Sequence, residues 1–303
     1  MKCLVTGGAG FVGSNLALYL LSQGHDVLIT GNTEEQQDPV LLDKCLQYEY
    51  GSLEWEKIGK VDVVFHQAAN NDTTLLDRNE FLKVNVEATK RLLEGAIAQG
   101  CKRIVYASST AVYGNGPVPP RETEHLKPLN PYGESKLLVD QYVQELVKEH
   151  PNIIIVGLRY CNVYGPRENH KGKRANMVFQ LAHQMVKGNP KLFKFGEQQR
   201  DYIYVKDVIT ANMLASQAKE SCIVNCAFGK ATSFNDIVKC LNTVLNVERT
   251  PEYIDNPYED KYQTNTECDM SLAKEKLGFV PEWDIKKGIT NYYDSGWLTK
   301  ESQ

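Results

Sequence analysis

The sequence predicts an α/β fold in which a doubly wound parallel sheet is accompanied by a smaller mixed α/β lobe. Three observations predict it. Short apolar runs alternate with helix-length segments through the first half, a glycine-rich turn directly follows the first run, and after about Tyr164 the elements shorten and are punctuated by Gly and Pro. The apolar runs Cys3-Leu4-Val5, Val27-Leu28-Ile29, Val61-Asp62-Val63-Val64-Phe65, Ile104-Val105-Tyr106-Ala107 and Ile153-Ile154-Ile155-Val156-Gly157-Leu158 are the strands this pattern requires. Between the third and fourth, Phe81, Val84, Ala88, Leu92 and Ala96 recur at helical spacing over Phe81–Gln99, and Gly100 ends that helix. The boundary falls at residue 164, with 1–164 carrying the sheet and 165–303 forming mainly the smaller lobe, from which some strands and helices return to the first half. No internal repeat or low-complexity linker interrupts the chain.

Composition narrows the class of function. The 303 residues are 42% hydrophobic and 24% charged, ordinary for a globular chain with a large core. Its 34 basic and 38 acidic residues give a net charge of −4 and are interspersed, so no broad cationic face is expected for nucleic acid. The start is too brief an apolar run for a signal peptide, and no later segment has the length to cross a bilayer, so the protein is expected in the cytoplasm and off the membrane. Eight cysteines are scattered without a Cys-x-x-Cys pair, which points to buried thiols and away from disulfides or a metal centre.

The turn Thr6-Gly7-Gly8-Ala9-Gly10-Phe11-Val12-Gly13 lies where the first strand should end and a helix begin. Gly7 permits the tight turn, Gly10 lets a pyrophosphate approach the backbone, and Gly13 lets helix pack on strand, with the helix N-terminus facing the anion. A glycine triplet alone also describes a generic turn. At the head of the chain, between strand and helix, it reads as the dinucleotide site of a Rossmann-type fold. An acid commonly ends the second strand to grip the adenosine ribose, but here Gly31-Asn32 stands there. The following Thr33-Glu34-Glu35-Gln36-Gln37-Asp38 holds acids and no arginine for a 2′-phosphate, which favours NAD over NADP without excluding the latter.

Asn130 is a good N-cap and Pro131 a good first helical residue, so Tyr132 and Lys136 share a helix face, four residues apart. An ammonium beside a phenol stabilises phenolate, which can take a proton from an alcohol while a hydride leaves for a nicotinamide. An isolated Tyr-x-x-x-Lys is more often a solvated helix start. Here Ser108-Ser109-Thr110-Ala111-Val112-Tyr113-Gly114 follows a buried strand, where a hydroxyl can bond the same reacting oxygen.

The order of glycine turn, Ser-Ser before Val-Tyr-Gly, and Tyr-x-x-x-Lys resembles the extended short-chain dehydrogenase/reductase family over essentially the whole chain. The resemblance implies an enzyme with Ser109 as the hydroxyl of a triad, Tyr132 as acid/base, and Lys136 as its electrostatic partner and ribose ligand. Phe11, Val12, Asn32, Ala68 of His66-Gln67-Ala68-Ala69, Asn85 and Val163 join Gly7, Gly10 and Gly13 as cofactor-lining residues, although core packing explains Ala68 and Asn85 equally well. Family members that dehydrate nucleotide sugars carry an Asp-Glu pair after the triad hydroxyl; Thr110-Ala111 replaces it, which argues against that chemistry.

Tyr160-Cys161-Asn162-Val163-Tyr164-Gly165-Pro166-Arg167-Glu168-Asn169-His170-Lys171-Gly172 is similar to the branch of the family that epimerises ADP-linked glyceromanno-heptoses at C6. So are Lys191-Leu192-Phe193, the run from Gln199 through Asp201 to Val205, the Thr73-Thr74 pair, and Tyr262-Gln263 leading to Cys268-Asp269. The resemblance implies a nucleotide-diphosphate sugar as substrate, tightly bound NAD or NADP, a homo-oligomer, and Lys171 as a second acid/base. Oxidation to a ketone and re-reduction from the other face are simplest with a proton carrier on each side, which Tyr132 and Lys171 would supply; a loop lysine in water is the plain alternative for Lys171. Asn162, Lys173, Gln180, Phe193, Arg200 and Tyr262 become the substrate-binding candidates. Arg200 would clamp a diphosphate, against the alternative of a surface ion pair with Asp201. Lys173 and Gln180 stand where the heptose enzymes would have serine and histidine, and no lysine follows Gly31-Asn32, so the nucleotide and sugar stay open. A UDP-hexose 4-epimerase, an NADPH-consuming keto-sugar reductase and a non-catalytic dinucleotide sensor are the rival readings.

Overall fold

Both faces of the strands are apolar, and the fold follows from covering both. The computed structural model describes residues 1–31, 38–44, 46–48, 53–72, 75, 77–255 and 265–301. Asn32 and the rest of 32–37, Thr73, Thr74, Tyr262 and Gln263, all singled out in the sequence, lie outside the described residues, as does the side chain of Lys173.

From the N-terminus run β1 (Lys2–Thr6), α1 (Phe11–Ser22), β2 (Asp26–Thr30), α2 (Pro39–Lys44), β3 (Leu46–Tyr48), α3 (Trp55–Ile58) and β4 (Val63–His66). α4 (Arg78–Phe81), a π-helical stretch (Leu82–Glu87) and α5 (Ala88–Ala98) follow one another without a break, so the periodic segment is helical throughout. β5 (Arg103–Ser109), α6 (Pro131–Glu149) and β6 (Ile154–Tyr160) close the first half. Beyond them lie α7 (Met177–Lys187), β7 (Lys191–Phe193), β8 (Gln199–Asp201), α8 (Val205–Ser216), β9 (Cys222–Cys226) and β10 (Ala231–Ser233). α9 (Phe234–Leu245), β11 (Glu252–Ile254), α10 (Ser271–Leu277) and α11 (Ile285–Asp294) end the order.

Among the described residues, seven strands pair in parallel in the order β3-β2-β1-β4-β5-β6-β9. The chain therefore winds outward through β1, β2 and β3, returns to β4, and winds the other way, and the reversal leaves a crevice at the carboxyl ends of β1 and β4. This is the doubly wound sheet the sequence predicts. Alternate strand residues serve opposite faces. Cys3, Val5, Val27, Ile29, Val63 and Phe65 pack with Leu16, Ala17 and Leu20 of α1 and Val208 and Ala211 of α8. Leu4, Leu28, Val64, Ile104 and Tyr106 pack with Leu92 and Leu93 of α5 and Val139 and Val143 of α6. A second apolar core gathers α7, α9 and α11 through Phe179, Leu181, Phe234, Ile237, Leu241, Ile289 and Tyr292. The buried residues of α9, Phe234, Ile237, Val238 and Leu241, fall at the three-and-four spacing of a single helical stripe. No helix among the described residues is long and apolar enough to cross a membrane.

One ion pair is sealed inside this frame. Arg159 on β6 and Asp140 on α6 are each 1% exposed, and Nη2 and Nε of the arginine lie 2.8 and 2.9 Å from Oδ2. Tyr106 donates to Oδ1 of Asp140 at 2.9 Å, and Arg159 donates to the Glu122 carbonyl at 2.7 Å, so the buried charges are hydrogen-bonded as well as paired. Removing one partner strands the other charge: Asp140→Ala is expected to destabilise the protein by ~3–5 kcal/mol, read as a lower urea midpoint, and an unchanged midpoint would refute the role given to the pair.

Candidate active site

The glycine turn sets the floor of the crevice. Gly7 has φ +65°, and a Cβ there would come within 2.8 Å of the Ala68 amide nitrogen, so only glycine lets the turn lie against the end of β4. Gly10 starts α1 with no side-chain cap and no acid in the first turn, which leaves the first helical amides and the positive end of the helix dipole to an anion. Behind the turn Thr6 Oγ1 meets His66 Nδ1 at 2.7 Å and accepts from the Ala68 amide at 3.3 Å, while His66 Nε2 meets Thr89 Oγ1 at 2.7 Å. Burial, with a smaller push from Lys136, lowers the His66 pKa to about 3, so the ring is a neutral strut between β1, β4 and α5.

The next wall is a loop held by Asn85. Its Oδ1 accepts from the Asn70 amide at 2.8 Å, and its Nδ2 donates to the Asn70 carbonyl at 2.9 Å and to Ser135 Oγ at 3.0 Å. Asn85 thus pairs with residue 70 as a strand would, and ties that pairing to α6. It sits in the π-helical stretch, an irregularity that turns one side chain of an otherwise ordinary helix toward the site.

Ser109 ends β5, where its Oγ accepts from the Ala111 amide at 3.2 Å. Asn130 Oδ1 caps α6 on the Gly133 amide at 2.8 Å, and Pro131 fills the first turn, as the sequence predicts. A Cβ on Gly133 would come within 2.7 Å of the Ala111 carbonyl oxygen, so the helix start can rest on the turn after β5 only because residue 133 has no side chain. That contact brings Tyr132 into hydrogen-bond reach of Ser109. Lys136 Nζ lies 5.9 Å from the centre of the Tyr132 ring and donates to the Ala107 carbonyl at 2.7 Å. Burial lowers the Lys136 pKa to about 8, with Asp140 pulling it back up. The expectation that this ammonium lowers the phenol is not met: burial raises Tyr132, opposed by the Ser109 hydrogen bond. The physical reason is that the ammonium is directed to the Ala107 carbonyl, so the partial burial of the phenol prevails over the Ser109 bond.

From the second half, a 3₁₀ segment (Asn169–Arg174) carries Lys171, whose Nζ lies 5.4 Å from the centre of the Phe11 ring at the start of α1. Burial lowers its pKa, Glu168 raises it, and Arg174 lowers it further. Arg200 on β8 stacks over the Phe234 ring at 6.0 Å, while the carboxylate of Asp201 accepts from the amides of Phe228, Gly229 and Cys268 at 2.8, 2.9 and 3.2 Å.

These groups surround one cleft of about 1110 Å³. Gly7, Gly10, Phe11, Val12, Gly13, Ala68, Ser109, Tyr132, Lys136, Asn162, Val163, Lys171 and Arg200 line it. Asn85, Gln180 and Phe193 do not. Asn85 acts through Asn70, Gln180 donates from α7 to the Ala175 carbonyl at 2.6 Å, and Phe193 is paired with Ile254 in a two-stranded ribbon. Asn162 lines the cleft, but its Nδ2 is engaged by the Asp201 carbonyl at 3.0 Å and Thr266 Oγ1 at 3.2 Å. Sequence reasoning placed Gln67 in a cofactor-lining segment, gave Tyr160 and His170 no role within the heptose-like run, and missed Asn176; all four line the cleft. A closed triangle fixes the first two: Tyr160 donates to Gln67 at 3.0 Å, Gln67 to Asn212 at 3.1 Å, and Asn212 to Tyr160 at 2.8 Å. An uncapped helix start at the crevice, a turn pressed onto β4, and a buried lysine beside a tyrosine together fit a nicotinamide dinucleotide.

The profile of the NAD dependent epimerase/dehydratase family matches residues 3–227. The chain is similar to the Helicobacter pylori ADP-L-glycero-D-manno-heptose-6-epimerase, with 36% identity over 97% of this chain and 95% of that one and a TM-score of 0.86. It is similar to the Thermotoga maritima UDP-glucose 4-epimerase with UDP-glucose, with 30% identity over 98% and 99% and a TM-score of 0.86. It is also similar to the Bacillus cereus UDP-glucuronic acid 4-epimerase in complex with UDP-glucuronic acid and NAD, with 26% identity over 98% and 99% and a TM-score of 0.82.

The neutral strut at His66 makes stability depend on acid. Its folded pKa of about 3 lies below the ordinary 6.5, so its contribution is complete above pH 6.5 and is lost as pH falls toward 3. Wild type is therefore expected to lose stability more steeply than His66→Asn over that window in urea titrations. Parallel curves would show that the ring is not the titrating group.

Proposed function

This chain belongs to the NAD dependent epimerase/dehydratase family, and from that premise we propose that it is a nucleotide-diphosphate-sugar epimerase of the kind that acts on ADP-linked heptoses. The observation that carries the reading is that Tyr132 and Lys171 line one cleft while arriving from different supports. Tyr132 stands on α6, which covers one face of the sheet; Lys171 rests on Phe11, at the start of the helix that covers the other.

A bound nicotinamide dinucleotide supplies the hydride acceptor and donor and, when oxidised, a positive charge that favours phenolate. The residues of the chain do the rest. Gly7, Gly10 and Gly13 with the first amides of α1 would bind the pyrophosphate, Ala68 and Val163 would border the remainder of the dinucleotide, and Lys136 would hold a ribose hydroxyl. Tyr132 takes the proton from the sugar hydroxyl as the hydride departs from the same carbon, and Ser109 donates a hydrogen bond to the oxygen as it becomes a carbonyl. For re-reduction from the other face, Lys171 would give a proton to that oxygen, with Tyr132 then releasing its proton to solvent and Lys171 regaining one from it, so no single side chain has to cross the sugar. A group with its pKa lowered by burial and raised by a carboxylate is suited to giving and taking that proton near neutrality. Arg200 faces the cleft as the partner for the diphosphate, a role that fits a planar guanidinium. NAD is the dinucleotide we assign, with NADP the alternative.

A UDP-hexose 4-epimerase is the second reading, favoured by the likeness to enzymes of that activity, and it would work from Ser109 and Tyr132 alone. The deciding test offers the enzyme ADP-D-glycero-D-manno-heptose and UDP-glucose separately and follows the sugar by proton NMR. Conversion of the heptose, abolished in Lys171→Ala with the dinucleotide still bound, is the expected result; conversion of the glucose with Lys171→Ala unaffected supports the second reading. Consumption of added NADPH in step with product would instead indicate a reductase. For either epimerase, Tyr132→Phe is expected to lower kcat by at least ~10²-fold with folding intact, and near-normal turnover would remove Tyr132 from the chemistry.

A further inference from the structure

Glu168 has no role in the reaction just described, yet it is a carboxylate with 0% exposure a few residues from the cleft. Burying such a group is costly, so its surroundings should say what it is for. One oxygen accepts from the Gly165 amide at 3.1 Å and the other from the Asn176 amide at 2.7 Å. Those amides stand at the two ends of the segment that carries His170 and Lys171, so Glu168 ties its ends together. Its own carbonyl accepts from the Lys171 amide at 3.0 Å. Asn176 in turn caps α7 at the Val178 amide and donates to the carbonyls of Asn162 and Val163. Gly172, at φ +53°, lets the segment reverse just after the lysine. A neutral amide at 168 could accept one of the two N–H bonds but would present its own NH₂ to the other, so a carboxylate suits both.

The charge matters as well as the shape. Among the described residues, Glu168 and Arg174 are the charged groups acting on the Lys171 amine, with the Phe11 ring beside it. The Glu168 carboxylate faces the Tyr292 phenol from α11 as well as Lys171. Arg167, between Glu168 and Pro166, is turned away to pair with Asp38 and to lie 5.0 Å from the Trp297 ring.

We propose that Glu168 is the positioning residue for Lys171, closing residues 165–176 into a loop of fixed shape that carries the amine beside the Phe11 ring at the glycine turn, with its carboxyl group facing that amine. The inference rests on the reading of Lys171 as the second proton carrier, and it says why that carrier stays in place. A displacement of the order of an ångström at such a group is enough to cost ~10²-fold in rate.

The test uses the full chain with its bound dinucleotide and compares wild type, Glu168→Gln, Glu168→Asp and Lys171→Ala. ADP-D-glycero-D-manno-heptose is the activity probe, and competitive acetylation by acetic anhydride, read at the Lys171 peptide by mass spectrometry, reports when the amine loses its proton. Glu168→Gln is expected to lower kcat by ~10²-fold and to move the Lys171 acetylation midpoint to lower pH, with dinucleotide content near wild type. Glu168→Asp, which keeps the charge but cannot reach both amides, should lose rate while keeping the midpoint; should the glutamine variant not fold, a wild-type rate or a shifted midpoint in Glu168→Asp overturns the inference. A wild-type midpoint and rate in Glu168→Gln overturn the inference, as does a loss of rate without a shift in midpoint, since a merely structural residue would do that. If Lys171→Ala epimerises normally while Glu168→Gln still shifts the midpoint, the role of Lys171 fails and the coupling to Glu168 stands.

Discussion

The chemistry of this cleft depends on how closely α6 approaches the end of β5. Gly133 rests against the Ala111 carbonyl and Lys136 donates to the Ala107 carbonyl, so the helix is attached on both sides of Ser109. Between those attachments Tyr132 has little choice but to face the serine. Ser135, which donates to the Tyr132 carbonyl at 2.7 Å and accepts from Asn85, adds a third tether from the neighbouring helical layer. The same approach buries the lysine, which is only 6% exposed. Position and desolvation are therefore one effect here, and a change that loosens the helix would also let in water and weaken every electrostatic interaction in the cleft.

Desolvation leaves the site short of charge on its own. Burial works against the phenolate of Tyr132 and the ammonium of Lys136, and it works against Lys171 in the same way. Opposing groups are stationed at each: Ser109 at the phenol, Asp140 near Lys136, and Glu168 near Lys171. Asp140 can do this only because Arg159 and Tyr106 already satisfy its carboxylate, which ties the buried ion pair of the frame to the state of the lysine in the site. Each of these buried groups thus has a neighbour that opposes the effect of its desolvation.

Where the chemistry is local in the chain, the sequence made it legible. The strand–glycine turn–helix, the Asn-Pro start of α6, the Tyr-x-x-x-Lys face and the helical spacing from Phe81 to Ala96 each declare themselves within a few residues. What it could not show depends on distant partners. Gly133 looks like a poor helix residue until the Ala111 carbonyl is seen beneath it, and His66 looks like a cofactor contact until Thr6 and Thr89 enclose it. Asn85 reaches the site through a π-helical irregularity that no apolar periodicity records. The strands β3 and β9 are short or lie far from the repeating first half, yet they form the two edges of the sheet. Phe193, in a run that resembles the heptose branch, and Gln180, where that branch would have histidine, are expected at the substrate, but a ribbon pairing and a bond to the Ala175 carbonyl account for where they stand.

The two proposed proton carriers rest on supports with different mechanics. Tyr132 is set in a nineteen-residue helix packed along the sheet, whereas Lys171 is set in a short 3₁₀ segment that has no core of its own. Such a segment keeps its shape only through bonds at its edges. Those edges reach to both sides of the cleft: Asn15 of α1 donates to the Pro166 carbonyl at 2.9 Å, Arg167 pairs with Asp38 beyond β2, and Glu168 joins the two ends. The loop is therefore fastened to the very elements that would hold a dinucleotide, and what disturbs the glycine turn or the region after β2 reaches Lys171 before it reaches Tyr132. Both proposed carriers are thus held in place, one by packing along the sheet and the other by these bonds at its edges.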